Sequence, residues 1–245
     1  MTEHIAICSM FNNSIARGDL ACYIGQIETL DYPADAISVY AVEGDSSDGT
    51  YEALQRWARI DRRVHVSKLD MGALPMGSIE NEARFLQGNR VGSYARWSAL
   101  KDNPDRVLWI ESDLIWYPDL LARLGTAWPG FDLVAPWVIA QTNGTGTRAL
   151  CELERTRDLS FYDVWAFRHL ADQRRFTHNE PRPTAPFQVH SAGSCLMVKA
   201  YVAAESNTPN ARAIVGWCEQ AAARGYSTWC DPRIVVWHQA PRPEL

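Results

Sequence analysis

Short apolar runs and stretches of helical period take turns through the first half of the chain. His4-Ile5-Ala6-Ile7-Cys8-Ser9-Met10 and Ile37-Ser38-Val39-Tyr40-Ala41-Val42 read as strands. Neither has the strict apolar–polar alternation of a half-exposed strand, so both are expected to be covered on two faces. Residues 19–30 between them have a helical pattern that stops at Tyr32-Pro33, since proline disfavours helical backbone in the residue before it. After the second run, Tyr51, Leu54, Trp57 and Ala58 share one helical face, with Asp48 or Thr50 available as the cap. Val64-His65-Val66 is a short third strand. A helical region from about 79 to 100, with an interruption expected at Gly88-Asn89, leads into Val107-Leu108-Trp109-Ile110. Strand alternating with helix predicts an α/β protein with a mainly parallel central sheet and helices on both faces.

The second half is less regular. Residues 131–138 read as a strand, 141–147 as a Gly/Thr-rich loop, and 181–186 as a proline-punctuated loop. Phe161-Tyr162-Asp163-Val164-Trp165-Ala166-Phe167-Arg168 is too aromatic for a plain linker. It is either an aromatic wall of a binding site or a partly buried helix. Cys195-Leu196-Met197-Val198, a helix near 211–224, and the strand Ile234-Val235-Val236-Trp237 ending at His238 complete the pattern. Without an internal repeat, a low-complexity tract or a linker, residues 1–245 read as one domain.

Composition narrows the function classes. A net charge of −5 argues against a broad nucleic-acid-binding surface. The ten tryptophans lean mildly toward a ring-shaped ligand. The six cysteines form no CxxC pair and no short zinc spacing, and Cys8, Cys195 and Cys218, within apolar patterns, read as buried free thiols of a reducing compartment. No signal-peptide pattern opens the chain and no run approaches a membrane span. A cytoplasmic protein is expected.

The chemistry concentrates where the fourth apolar run ends, at Glu111-Ser112-Asp113. Two carboxylates at alternate positions beyond a buried strand can hold a hard divalent cation, which takes oxygen ligands from one or two carboxylates, water and phosphates. Glu43-Gly44-Asp45 closes the second strand in the same way. In open α/β sheets ligands bind outside the carboxyl ends of the strands, so both acidic turns belong to one prospective site.

These features together resemble a nucleotide-sugar glycosyltransferase of the GT-A fold, a Rossmann-like single domain. The resemblance implies a nucleotide-binding half over 1–113 and an acceptor- and sugar-binding half over 114–245. It makes the turn 43–50 similar to the one that meets the nucleoside, with Glu43 and Asp45 as donor-binding candidates; for Asp48 and Thr50 helix capping is preferred. Arg96 stands where the family's arginine supports the acidic site, although Trp97 replaces the common Asn. Glu111-Ser112-Asp113 corresponds to the DxD motif with Glu in the first place. The implied job is to bridge Mn²⁺ or Mg²⁺ to the donor diphosphate, with Asp113 the stronger ligand and Glu111 either a metal partner or a ribose contact. The final Asp231-Pro232 to His238 run is similar to the family's closing segment, which makes His238 the third metal candidate. Residues 188–193 resemble the strand and small-residue turn that approach the donor sugar, adding His190 and Gly193. Asp163 is the candidate to meet sugar hydroxyls.

One departure bears on mechanism. Inverting relatives of the large family 2 carry an acidic pair at the start of the helix preceding Gly225, one member of which is the general base. Here those positions are Ala213 and Ile214, and the nearest acids are Glu219, within the helix, and Glu205. The turn after the second strand, Phe161-Tyr162-Asp163 and the Asp-Pro-to-His run look more like the fungal-type retaining α-mannosyltransferases. Transfer with retention is therefore expected, from GDP-mannose or a UDP-sugar, to a glycan, a small molecule or even a modified DNA base. An inverting family 2-like enzyme and a non-catalytic nucleotide- or carbohydrate-binding domain are the alternatives. A sugar nucleotidyltransferase fits less well, because Phe11-Asn12-Asn13-Ser14 stands where its Gly-rich basic loop belongs.

Overall fold

The computed structural model describes residues 2–72, 82–126, 130–140, 161–207 and 213–238. Its strands are β1 (Ile5–Phe11), β2 (Ile37–Glu43), β3 (Val64–Lys68), β4 (Arg106–Ile110), β5 (Leu114–Ile115), β6 (Leu133–Ala140), β7 (Arg168–His169), β8 (Phe187–Ser191), β9 (Cys195–Lys199) and β10 (Thr228–His238). The helices are α1 (Ser14–Arg17), α2 (Asp19–Glu28), α3 (Thr50–Ile60), α4 (Glu82–Leu100), α5 (Leu120–Thr126), α6 (Ala200–Ser206) and α7 (Ala213–Ala222).

All strands join one sheet in the order β3-β2-β1-β4-β9-β6-β10-β8-β7, with β5 paired to β10. The first four run parallel. β6, β10 and β7 share their direction, while β9, β8 and β5 run against it. The sheet is therefore mixed but mostly parallel, and the carboxyl ends of β1, β2, β4 and β10 reach the same edge.

Side chains of a strand alternate between the two faces of a sheet, and both faces are covered here. Ile7, Leu108 and Ile110 meet Ile27 of α2 and Leu120 and Leu121 of α5. Phe11 and Ser9 on the same face reach Tyr23, with rings 5.1 Å apart and a hydroxyl pair at 2.6 Å. On the other face lie Met10, beside Gly88 of α4, and Trp109, beside Gly92. An added Cβ at Gly92 would stand 2.9 Å from the Trp109 ring, so this glycine lets α4 lie close on the sheet.

The expected elements form with small differences in bounds. α4 runs unbroken through Gly88-Asn89. Packing against β1 and β2 overrides the weak propensity of these residues, and Asn89 turns inward to accept hydrogen bonds from Ser93 and Arg96. The last strand starts earlier than expected, at Thr228, and slips register between Asp231 and Val235. Pro232 has no N–H to give to a ladder, so a bulge is where it fits. Residues 161–168 form a turn followed by β7, not a helix. The cap position of α3 is Gly49, not Asp48 or Thr50; Asp48, one residue earlier, accepts through Oδ1 from the Thr50 N–H (3.0 Å) and hydroxyl (2.6 Å).

Cys8, Cys22, Cys195, Cys218 and Cys230 are free thiols; Cys151 and the 141–147 loop lie outside the described residues. Among the described residues no helix is long and apolar enough to cross a membrane.

Candidate active site

The carboxyl edge of the sheet opens into a cleft of about 880 Å³. Its floor is the turn after β4. The Glu111 N–H donates to the Ser194 carbonyl at 2.8 Å, which ties that turn to the start of β9. Leu114 then pairs with His238 in the antiparallel β5–β10 contact. This short pairing brings the last residue of β10 beside the acidic turn.

Glu111, Asp113 and His238 each present a ligand atom, and the three atoms lie within 4.8 Å of one another. His238 Nε2 is 3.3 Å from Asp113 Oδ2. The imidazole stacks on the Tyr162 ring with centroids 3.7 Å apart and planes 16° from parallel, which fixes its orientation. Two carboxylates and one imidazole suit Mn²⁺ or Mg²⁺, and no thiolate competes for a softer ion. The donor set fits the metal expected from the sequence.

Charge is concentrated here. Burial, followed by the charges of Asp113 and Asp163, pushes the Glu111 carboxyl well above the ordinary carboxylate range. Burial would also raise Asp113, but the hydrogen bond and charge of His238 and the charge of Arg17 hold it below its ordinary value. Burial pushes Asp163 up to about 6, against the pull of hydrogen bonds from Ser194 and the Ala166 backbone. The Ser194 side chain lies beside both acids and draws both carboxyls downward.

Gly193 belongs to the same arrangement for steric reasons. A Cβ at this position would stand 2.3 Å from the Ala166 Cβ and 2.8 Å from Asp163 Oδ2. Only glycine lets the 163–166 turn close onto the start of β9.

The other predicted residues separate. Asp45 lines the cleft, and its carboxylate accepts from the backbone N–H groups of Met71 and Gly72, each at 3.0 Å. Glu43, expected to meet the nucleoside, is fully buried and does not line the cleft; its Oε1 accepts from the Ser46 N–H at 2.6 Å. Arg96 reaches the cleft from α4 but, among the described residues, pairs with no carboxylate. Its Nε donates to Asn207 (3.0 Å), its Nη2 to Ser93 (2.9 Å) and Asn89 (3.3 Å), and its plane lies 4.4 Å over Trp217. Arg96 Nη1 is buried without a partner, and burial lowers the guanidinium to about 10. Trp97 points away and is half-exposed.

His190 and Glu219 do not line the cleft. Nor does Glu205, which accepts from the Tyr226 hydroxyl at 2.8 Å. Ile214 and Val215, near the start of α7, do line it. Residues that the sequence did not single out are Ser194, the Tyr162 platform and Arg17. The motif 161–168 carried the signal for Tyr162; nothing in the sequence marked Ser194 apart from its neighbours.

No family model and no curated protein matches the chain. Solved structures do. The mannosyltransferase PcManGT from Pyrobaculum calidifontis, in complex with GDP-Man and Mn²⁺, matches with a TM-score of 0.59 and 16% identity over 99% of this chain and 58% of that one. S. aureus TarS 1–349 in complex with UDP-GlcNAc matches with a TM-score of 0.62 and 12% identity over 98% of this chain and 59% of its own. The chain thus spans about three-fifths of the length of either neighbour. Likeness at this identity is likeness of fold: a mixed, mostly parallel sheet covered by helices in one domain, the GT-A fold of these glycosyltransferase neighbours.

Proposed function

We propose that this protein is a metal-dependent glycosyltransferase that moves a hexose from a nucleoside diphosphate sugar to an acceptor hydroxyl. The observation that carries this reading is the convergence of Glu111, Asp113 and His238 at the carboxyl edge of the sheet, on the floor of a large cleft. Asp113 and His238 hold the divalent ion, with Glu111 as the third ligand or a ribose contact. When bound, the metal supplies Lewis-acid stabilisation of charge on the departing diphosphate. The neighbours' bound GDP-Man with Mn²⁺ and UDP-GlcNAc support a donor of this class, either GDP-mannose or a UDP-sugar.

The chain's own residues divide the remaining work. Residues 1–113 form the nucleotide half, in which Asp45 faces the nucleoside and Glu43 acts through the turn it braces. The half over 114–245 meets the sugar and acceptor, with Asp163 at the sugar hydroxyls, Gly193 allowing its approach, and His190 and Glu219 outside the cleft lining. Arg96 lines the cleft and keeps a buried Nη1 without a hydrogen-bond partner. Transfer with retention, in the manner of the fungal-type α-mannosyltransferases, is favoured by the apolar Ala213 and Ile214 at the positions where an inverting enzyme would carry its acidic pair; Ile214 lines the cleft. A second reading has its own support: Asp163, with a pKa of about 6, is suited to act as the base of an inverting transfer.

The test is turnover of GDP-mannose, UDP-glucose and UDP-GlcNAc with and without Mn²⁺, in the wild type and Asp113→Asn, with the anomeric configuration of the product read by NMR. Metal-dependent turnover lost in the variant is the expected result. Activity indifferent to both metal and variant overturns the assignment.

A further inference from the structure

The end of α3 away from the cleft carries positive charge that the rest of the described chain does not neutralise. Four arginines, Arg56, Arg59, Arg62 and Arg63, fall within eight residues that hold a single acid, Asp61. Arg63 closes onto that acid, with Nη2 2.6 Å from Asp61 Oδ2. Arg56, Arg59 and Arg62 are exposed, and none of them forms an ion pair or hydrogen bond among the described residues. Glu52, the acid on the same face of α3, lies one turn nearer the cleft, where its charge acts on Lys68. Ile60 stands among these arginines with 87% of its surface exposed, against 52% for Trp97 and Tyr201, the next most exposed of the large apolar residues described. Arg56, Arg59 and Ile60 are spaced i, i+3, i+4 and so share one face of the helix, while Leu54 and Trp57 are buried against the core.

We infer that this patch docks the protein on the surface of a bilayer containing anionic phospholipid. Headgroup phosphates meet the three unpaired guanidinium groups, and Ile60 enters the boundary between headgroups and acyl chains. The protein as a whole carries −5, so attraction to an anionic layer has to come from a local patch, and a local patch fixes the orientation. Ile60 is what favours a bilayer over other anionic partners. A nucleic acid satisfies arginines but leaves Ile60 in water; an acidic protein surface needs a pocket shaped for one protruding side chain, and a bilayer needs none. From Thr50, beside the 43–50 turn, α3 runs about 15 Å away from the carboxyl edge of the sheet, so docking through Ile60 leaves the cleft open. Among the described residues no helix is long and apolar enough to cross a membrane, and the contact is one of surface attachment. The inference goes beyond the glycosyltransferase reading and does not depend on it.

The full chain is mixed with sedimenting vesicles of phosphatidylcholine, alone or in equal mixture with phosphatidylglycerol, at low and at high salt. The expected result is binding to the mixed vesicles that high salt removes, with none to phosphatidylcholine alone. Arg59→Gln and Arg62→Gln are each expected to weaken binding about fivefold, one charge's share of the attraction, and Ile60→Ser about tenfold. All three side chains are exposed, so melting temperatures should stay at the wild-type value and the variants report binding rather than folding. No binding to the mixed vesicles at low salt, or equal binding to phosphatidylcholine alone, overturns the proposal. Ile60→Ser binding as tightly as wild type also overturns it, and capture of both proteins by heparin then gives the patch to a polyanion. Vesicle binding is read without donor or metal, so its failure leaves the proposed function standing.

Discussion

Two turns of this protein carry the same local sequence, a Glu and an Asp separated by one residue after a buried strand, yet they end in opposite situations. At Glu43-Gly44-Asp45 the carboxylates are turned to bracing: Glu43 accepts from the Ser46 N–H, and Asp45 ties down Met71 and Gly72. At Glu111-Ser112-Asp113 the carboxylates face each other, Asp163 and His238. The difference begins with one residue of register. Glu43 is still within β2 and pairs with Phe11, on the face covered by α2. Glu111 is the first residue beyond β4 and keeps the parity of Trp109, on the face covered by α4. Since alternation puts successive residues on opposite faces, the two glutamates leave the sheet on opposite sides. Backbone donors hold the first turn's carboxylates apart, with Glu43 Oε2 left buried and without a hydrogen-bond partner; at the second, the carboxylates crowd beside a histidine. That contrast separates a structural acidic turn from a candidate metal site better than composition does.

The widest gap is expected between Asp113→Asn and Asp45→Asn. The first should lower metal-dependent turnover by about 100-fold or more, since a metal contributes several kcal/mol to charge stabilisation, and should abolish the Mn²⁺-induced rise in melting temperature. The second should keep the Mn²⁺ response while losing roughly 1 kcal/mol of stability, since the Asn oxygen still accepts from Met71 and Gly72 but without the charge that strengthens both bonds. If thermal-shift curves show Asp45→Asn losing the metal response as fully as Asp113→Asn, the contrast between the turns fails.

Gly193→Ala should cost on the order of 1–3 kcal/mol from overpacking against Ala166 and Asp163. Turnover should fall with it, because the 163–166 turn must move. Denaturant unfolding beside an activity assay measures both; a variant as stable and active as wild type would show that this close approach is not required.

A smaller effect concerns pH in chelator-treated protein. Asp163 rises from 3.8 to about 6 on folding, so between those values the native state binds more protons than the unfolded chain. Its stabilising contribution is full below pH 3.8 and is lost as pH rises through about 6. Melting curves across that window should fall less steeply for Asp163→Asn than for wild type. An equal slope would mean that the buried acid is not strained at all.

The smallest effect belongs to Asp48, whose carboxylate holds Thr50 and the Ala16 N–H at 2.8 Å. Asp48→Ala should lose about 1 kcal/mol, as for a helix cap, with Mn²⁺ binding unchanged by calorimetry. A change in metal affinity would move this residue from bracing to the site.

Much of the fold was legible because it rests on period. The apolar runs at β1, β2 and β4, the helical face of α3 and the stop at Pro33 are local patterns that burial enforces wherever the chain goes. Asp113 and His238 were recognisable as a metal pair only through a family resemblance, and the structure brings them together. Gly88-Asn89 misled the reading of α4, since the helix packs on β1 and β2 through this stretch and the Asn89 oxygen accepts from Ser93 and Arg96 of the same helix. Ser194 was silent because a serine in a small-residue turn looks the same whether or not two carboxyls converge on it.

By itself, then, the sequence determined which segments become strand and helix and that carboxylates gather beyond strand ends, because hydrophobic period and strand direction are properties of short stretches. Only the tertiary structure decided which acidic turn gathers its carboxylates beside a histidine, that His238 reaches Asp113 through the β5–β10 pairing, and that Arg168 stands opposite Arg175. Register between distant strands sets those contacts, and register depends on how the whole sheet buries its faces.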